Sequence, residues 1–222
     1  GAGVIALSLI LGVPTSQAYI PVDVILIIMS VITAIAAMQV AGGLDWMVQV
    51  AENFLRKHPE RITFYAPIVT YLMTLMAGTG HTAFSTLPVI AEVAKGQGVR
   101  PSRPLSIAVV ASQIAITASP ISAAVVAFAA MLHPFGVDYL TLLAICIPTT
   151  FIACMIGAFV ANFMGCELKD DAEYQERLEK GLIKLNTEAK REILPTAKKA
   201  TFIFLGAIAF VVDRKSTRLN SS

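Results

Sequence analysis

Residues 24–44, 62–91, 104–137 and 139–166 contain no Asp, Glu, Lys or Arg, in runs 21, 30, 34 and 28 residues long. A helix needs about 20 consecutive apolar residues to cross a bilayer core of about 30 Å. Four such runs within 222 residues leave a soluble fold too little polar surface to face water. The expected fold class is therefore an all-α polytopic membrane protein, with the lipid bilayer as its first partner. Charged residues are 14% of the chain, against about 25% in a typical soluble domain. The mean hydropathy of +0.72 excludes intrinsic disorder, which needs low hydropathy and high charge.

The net charge of +2 comes with no basic stripe and no run of stacking aromatics, so nucleic acid is not an expected partner. Cys146, Cys154 and Cys166 are eight and twelve residues apart. Those spacings match no zinc or disulfide pattern, and the three read as small packing residues. No cofactor and no metal are expected.

The runs can be divided into spans. Residues 1–13 (GAGVIALSLILGV) read as the second half of a spanning helix; no charged region precedes them, so they are not a signal peptide. A full helix is expected over 22–40, ended by Gly42 and Gly43, since paired glycines form helix poorly. Segment 45–61 is amphipathic, with Trp46, Val50, Phe54 and Leu55 near one face. It reads as an interfacial helix with Trp46 at headgroup level. The run 62–91 is interrupted by GTGHT at 78–82 and reads as two half-helices, 62–77 and 83–94, of a re-entrant hairpin at 62–93. The run 104–132 is broken at Thr117–Ala118–Ser119–Pro120, where proline removes a backbone donor and clashes with the preceding turn. A last full helix covers 139–164. Residues 165–198 read as a charged cytoplasmic linker and 199–212 as the start of the next transmembrane helix. The polar stretch DRKSTRLNSS at 213–222 resembles translated vector sequence and is set aside as non-native; the chain reads as a fragment.

Basic residues set the expected orientation. Loops 14–20 and 133–138 carry none, whereas 45–61 holds Arg56, Lys57 and Arg61, and 92–103 holds Lys95, Arg100 and Arg103. The positive-inside rule puts these two segments, and the basic 165–199, in the cytoplasm. The chain between 61 and 92 must then enter the membrane and return on the same side. The glycine break and the charge distribution point independently to one hairpin.

Non-helical backbone at membrane depth is tolerated only where protein buries it or where it lines a cavity. Gly78, Thr79, Gly80, His81, Thr82, Ser85 and Thr86 surround the first break. Gln113, Thr117, Ser119, Pro120 and Ser122 surround the second. These groups are polar and almost all uncharged. Half-helices beginning near 83 and 119 would present N–H groups and a partial positive charge at the breaks, which suits an anion. Discontinuous-helix secondary transporters hold their substrates in this way near the midplane. Ser and Thr also serve ordinary packing roles in membrane helices, bonding to their own backbone. His81, the one side chain of runs 62–91 and 104–132 that titrates near neutral pH, could bind a carboxylate, carry a proton or bond a carbonyl at the hairpin tip. A catalytic reading of His81 with Ser85, four residues apart, lacks a GxSxG motif and an orienting acid. HTAFS also lacks the glutamate and second histidine of HExxH. No catalytic residue is assigned and no enzyme activity is expected. A carrier of another anion, or a sensor partner that does not transport, remains open.

Residues 78–126 (GTGHTAFSTLPVIAEVAKGQGVRPSRPLSIAVVASQIAITASPISAAVV) resemble the Dcu family of anaerobic C4-dicarboxylate transporters. So do PVDVILIIMSVITAIAAMQVAGGLD at 21–45 and APIVTYLMTLMAGTGH at 66–81, and the likeness extends through most of residues 1–212. The resemblance implies an inner-membrane carrier of bacteria that exchanges fumarate, malate, aspartate and succinate by alternating access. It also implies kinship with a wider ion-transporter superfamily built from inverted repeats. On that analogy the chain is the first repeat of a secondary transporter, with a re-entrant helical hairpin and a broken transmembrane helix. Gly78–Thr86 would be the hairpin tip and Thr117–Ser122 the broken-helix loop. The partners implied are a C4-dicarboxylate substrate, a C-terminal repeat absent here and, as for some members of the family, a sensor kinase; Gly12, Gly42 and Gly43 could pack helices of one chain or a second copy of it alike.

Overall fold

A computed structural model describes the backbone of residues 22–164, 167–168, 170–180 and 194–219, with residues 7 and 10–12. Most of the partial helix expected at 1–13, the loop at 14–20, residues 181–193 of the linker and the last three residues of the tail lie outside the described residues, as does Cys166. Among the described residues every regular element is helical. The α-helices are α1 (Val22–Val40), α2 (Gly43–Lys57), α3 (Ile62–Ala77), the single turn α4 (His81–Phe84), α5 (Leu87–Gly96), α6 (Ser102–Ala115), α7 (Ala123–Leu132), α8 (Tyr139–Asn162), α9 (Ala172–Glu179) and α10 (Ala197–Leu219). Short 3-10 turns cover Pro59–Arg61, Ile116–Ala118 and His133–Phe135. The backbone of α10 stays helical beyond Val212, where its apolar stretch ends.

One described helix, Tyr139–Asn162, is by itself long and apolar enough to cross a bilayer; Ser102–Ala118 and Ala123–Leu132 pass the same test together, bent by 41° at the break between them. Only 17% of the most apolar window of α8 is buried within the protein, and Ile145, Ile152, Ile156 and Phe159 are exposed. A helix that is apolar all round and so little covered requires an apolar surrounding other than its own chain.

The centre of the structure is the pair α3 and α6, with α8 against both. Small side chains let these helices approach closely: Ala66, Ala108, Ala111 and Ala115 are fully buried. The Thr70 hydroxyl lies 2.9 Å from the carbonyl of Ala108 and 3.1 Å from that of Ala66, so it serves both helices. Tyr71 reaches from α3 to α8, its hydroxyl 3.1 Å from the Ile147 carbonyl and 2.8 Å from the Thr150 hydroxyl, on either side of Pro148.

Helix α2 carries two apolar stripes rather than one. Met47, Val48, Ala51 and Leu55 are buried, the spacing of a helix face set on a core. Val50 and Phe54 stay exposed, and Trp46, one turn before Val50, is half-buried with its ring 5.6 Å from that of Phe202. Leu55 thus separates from the face that the sequence grouped it with. Periodicity locates apolar stripes, but only packing decides which one meets protein.

Ion pairs close one end of the structure. Arg56, in the last turn of α2, pairs with Glu92 of α5 at 2.9 Å, so the helix that leads into α3 is tied to α5. Arg103, 8% exposed, donates to the Met164 carbonyl and pairs with Glu167 at 2.5 Å. The Leu168 amide donates to the Gly98 carbonyl at 3.1 Å, and Arg100 approaches Asp171 at 3.8 Å. The loop before α6 is thereby tied to the segment after α8.

Candidate functional site

The first break follows from glycine. Helix α3 ends at Gly78, which has φ +73° and donates its N–H to the Thr74 carbonyl at 2.8 Å. That left-handed residue is a common helix terminator because it has no Cβ to strain. The chain turns through Thr79 and Gly80, makes the single turn α4, and resumes as α5 at Leu87 with Pro88 in its first turn, where a missing N–H costs nothing. The second break follows from proline. Helix α6 tightens into the 3-10 turn Ile116–Ala118, and Ser119 is extended at ψ 127°. Pro120 follows, and α7 starts at Ala123. Both onward helices begin about four residues later than the sequence placed them, at 87 and 123 rather than 83 and 119. The residues between spend their backbone groups on turns: Thr86 donates its amide to Ala83, and Ser122 to Ser119.

The two breaks touch. A Cβ built on Gly78 would stand 2.9 Å from Cγ1 of Ile121, and one on Gly80 would stand 2.5 Å from Nε2 of Gln113. Ser119 donates its hydroxyl to the Leu75 carbonyl in the last turn of α3 at 2.7 Å. The Ile121 amide approaches the same hydroxyl oxygen at 3.4 Å. Tyr139, at the start of α8, donates to the carbonyl of Pro120. The sequence did not single out Tyr139 or Leu75; a helix-starting tyrosine 19 residues beyond the proline carries no local signal of that bond.

Burial sorts the expected site residues into two sets. Thr82, Thr86, Ser119 and Ser122 are buried. Thr82 donates to the Thr79 carbonyl at 3.1 Å and lies 3.4 Å from the Thr74 hydroxyl. Thr86 donates to the Ala83 carbonyl at 2.8 Å. With Ser119 on Leu75, three of these four hydroxyls are turned to the protein's own carbonyls. The second set is accessible: His81, Gln113 and Thr117 are exposed, and Thr79, Ser85 and Pro120 are half-buried. Gln113 and Thr117 are one turn apart and so share a face of the helix that ends at the break. The Thr117 hydroxyl lies 2.7 Å from the Ile114 carbonyl, and the His81 ring lies 5.9 Å from that of Phe84. Among the described residues no cluster of three His, Cys, Asp or Glu side chains could hold a metal ion. The accessible groups are hydrogen-bonding and, His81 apart, never charged, which suits recognition of a polar solute by geometry.

Residues 1–218 match the family model described as anaerobic C4-dicarboxylate membrane transporter. The chain is 64% identical over 212 residues to the C4-dicarboxylate transporter DcuA of Wolinella succinogenes and 52% identical over 213 residues to that of Escherichia coli K12. Each alignment covers 96% of this chain and 48% of the relative. A protein of Escherichia coli O6:H1 named anaerobic C4-dicarboxylate transporter DcuB is 39% identical over 202 residues, covering 86% of this chain and 45% of that relative. The chain thus spans about half the length of these curated relatives, each of which is named as a transporter. No solved structure matches the chain.

Proposed function

Since this chain belongs to the family of anaerobic C4-dicarboxylate membrane transporters, and is accordingly a helical membrane protein, we propose that it forms the first half of a carrier that exchanges fumarate, succinate, malate or aspartate across the bacterial inner membrane. The observation that carries this reading is the contact between the breaks, Gly78 on Ile121 and Gly80 on Gln113. It gathers two interrupted helices, and the uncharged groups beside them, at one place.

The accessible set binds one substrate carboxylate: Gln113 through its amide, Thr117 and Ser85 through their hydroxyls, that of Thr117 turning from the Ile114 carbonyl to do so, His81 through its ring, with backbone N–H groups near Thr79 and Gly80. The buried set, Thr82, Thr86, Ser119 and Ser122, shapes the breaks rather than touching substrate. The second carboxylate is met by matching elements of the other half, as in carriers built of inverted repeats. Segment 62–93 is a re-entrant hairpin entering from the cytoplasm; the Arg56–Glu92 pair supports this by tying its outgoing arm to α2, the helix that precedes its incoming arm. Differential contacts in the inward-open and outward-open states then let binding energy drive alternating access.

The test is counterflow with the full-length protein in proteoliposomes. Vesicles loaded with unlabelled fumarate are given labelled succinate outside. Uptake that needs internal fumarate is the expected result, with Gln113→Ala and Thr117→Ala each raising KM several-fold. No uptake by correctly inserted protein overturns the reading of the substrate; unchanged KM in both variants overturns the assignment of the site.

A further inference from the structure

Breaking a helix leaves carbonyls without their usual N–H partners, and inside a membrane no water replaces them. At the end of α3, the Thr74 carbonyl takes the Gly78 amide and the Leu75 carbonyl takes the Ser119 hydroxyl. At the end of the second break, the Pro120 carbonyl takes the Tyr139 hydroxyl. Ser119 and Pro120 are neighbours, so the two hydroxyls form a chain of caps. It runs from the first turn of α8, through the second break, to the last turn of α3. The Tyr139 ring is itself held among Val125, Ala129, Leu142 and Leu143, on the far side of the break from α3.

We propose that Tyr139 is a positioning residue for the transport site. Its phenol fixes the Pro120 carbonyl, this fixes Ser119 on Leu75, and the register so set keeps Gly78 on Ile121 and Gly80 on Gln113. The proposal rests on the reading that the paired breaks bind substrate, and it adds a residue outside either break. Tyr139 touches no substrate. Its removal acts through the geometry of the break.

Hydrogen–deuterium exchange on the full-length protein, paired with counterflow kinetics, tests this. Tyr139→Phe keeps the packed ring and removes only the donor. Exchange at the Ile121 and Ser122 amides is expected to rise about tenfold, the effect of losing one hydrogen bond at the break, with amides in the middle of α8 unchanged. Ser119→Ala is expected to raise exchange at Gly78 as well as at Ile121, because its hydroxyl caps the Leu75 carbonyl and also meets the Ile121 amide. In transport, Tyr139→Phe raises KM for fumarate several-fold with Vmax little altered. Wild-type exchange at Ile121 and Ser122 in Tyr139→Phe overturns the proposal. A rise spread equally over α8 and both breaks also overturns it, by showing general loosening. Raised exchange with unchanged KM overturns the link to the substrate site. If the wild-type protein exchanges no dicarboxylate, the transport reading fails, and the exchange measurement still decides whether Tyr139 sets the break.

Discussion

Gly78 and Ile121, more than forty residues apart in the chain, are in contact across the two helix breaks: a Cβ on Gly78 would sit 2.9 Å from Ile121 Cγ1 and 3.3 Å from its backbone carbonyl carbon. The contact needs a residue that has no side chain and accepts φ +73°, and glycine meets both needs. Gly78→Ala therefore meets backbone strain of about 1 kcal/mol together with a clash against the Ile121 side chain at 2.9 Å, with the Ile121 backbone close behind it at 3.3 Å. The expected outcome is a lowered melting temperature in detergent and transport reduced at least tenfold. Wild-type melting and transport would show that the breaks are not closely apposed in the working protein.

Gly80 offers a contrasting case. Its hypothetical Cβ meets the Gln113 amide at 2.5 Å, and a flexible side-chain end can swing away. Gly80→Ala is expected to leave thermal stability nearly unchanged and to raise KM by displacing Gln113. The double variant Gly80→Ala with Gln113→Ala should then be no worse than Gln113→Ala alone, a coupling that a double-mutant cycle reads directly. Additive effects on KM would separate the two residues.

Arg103 and Arg56 predict different costs for similar chemistry. Arg103 is buried and divides its guanidinium between the Met164 carbonyl and Glu167, which a lysine cannot reproduce. Arg103→Lys is expected to cost about 1.5–3 kcal/mol, the range for hydrogen bonds to charged groups. Arg56 is more than a third exposed in its pair with Glu92, so Arg56→Gln should cost under about 1 kcal/mol. Chemical denaturation of the two variants in detergent checks the order, and a reversed order would place the clasp at 97–103 and 164–168 in water.

Thr70→Val tests the α3–α6 seam. The change keeps the shape of a fully buried side chain and removes the hydroxyl shared by Ala66 and Ala108. Interhelical hydrogen bonds in membranes average about 0.6 kcal/mol, so a small loss of stability with unchanged KM is expected. A change in KM without loss of stability would mean that the seam moves during transport.

Much of this was legible in the sequence because it depends on neighbours only. The charge-free runs forecast apolar helices, Gly78 ended α3 where the sequence placed its end, and Pro120 stands where the α6–α7 span bends. Other features were not legible. Hydroxyl-bearing residues around each break look alike in a sequence, yet Ser119 is sealed on Leu75 while Thr117, two residues earlier, is exposed. The two apolar stripes of α2 could not be ranked, since either could have faced the core.

The sequence by itself determined where this backbone can and cannot be helical. A glycine without Cβ and a proline without N–H act within one turn, and long uncharged runs demand an apolar surrounding wherever they lie. Only the tertiary structure decided that the breaks meet, that Tyr139 caps one and Ser119 the other, and that Gln113 lies against Gly80. Those pairings join residues 19 to 44 positions apart. They are fixed by the close approach of small-residue helices and by the need to satisfy each buried carbonyl, which no local pattern records.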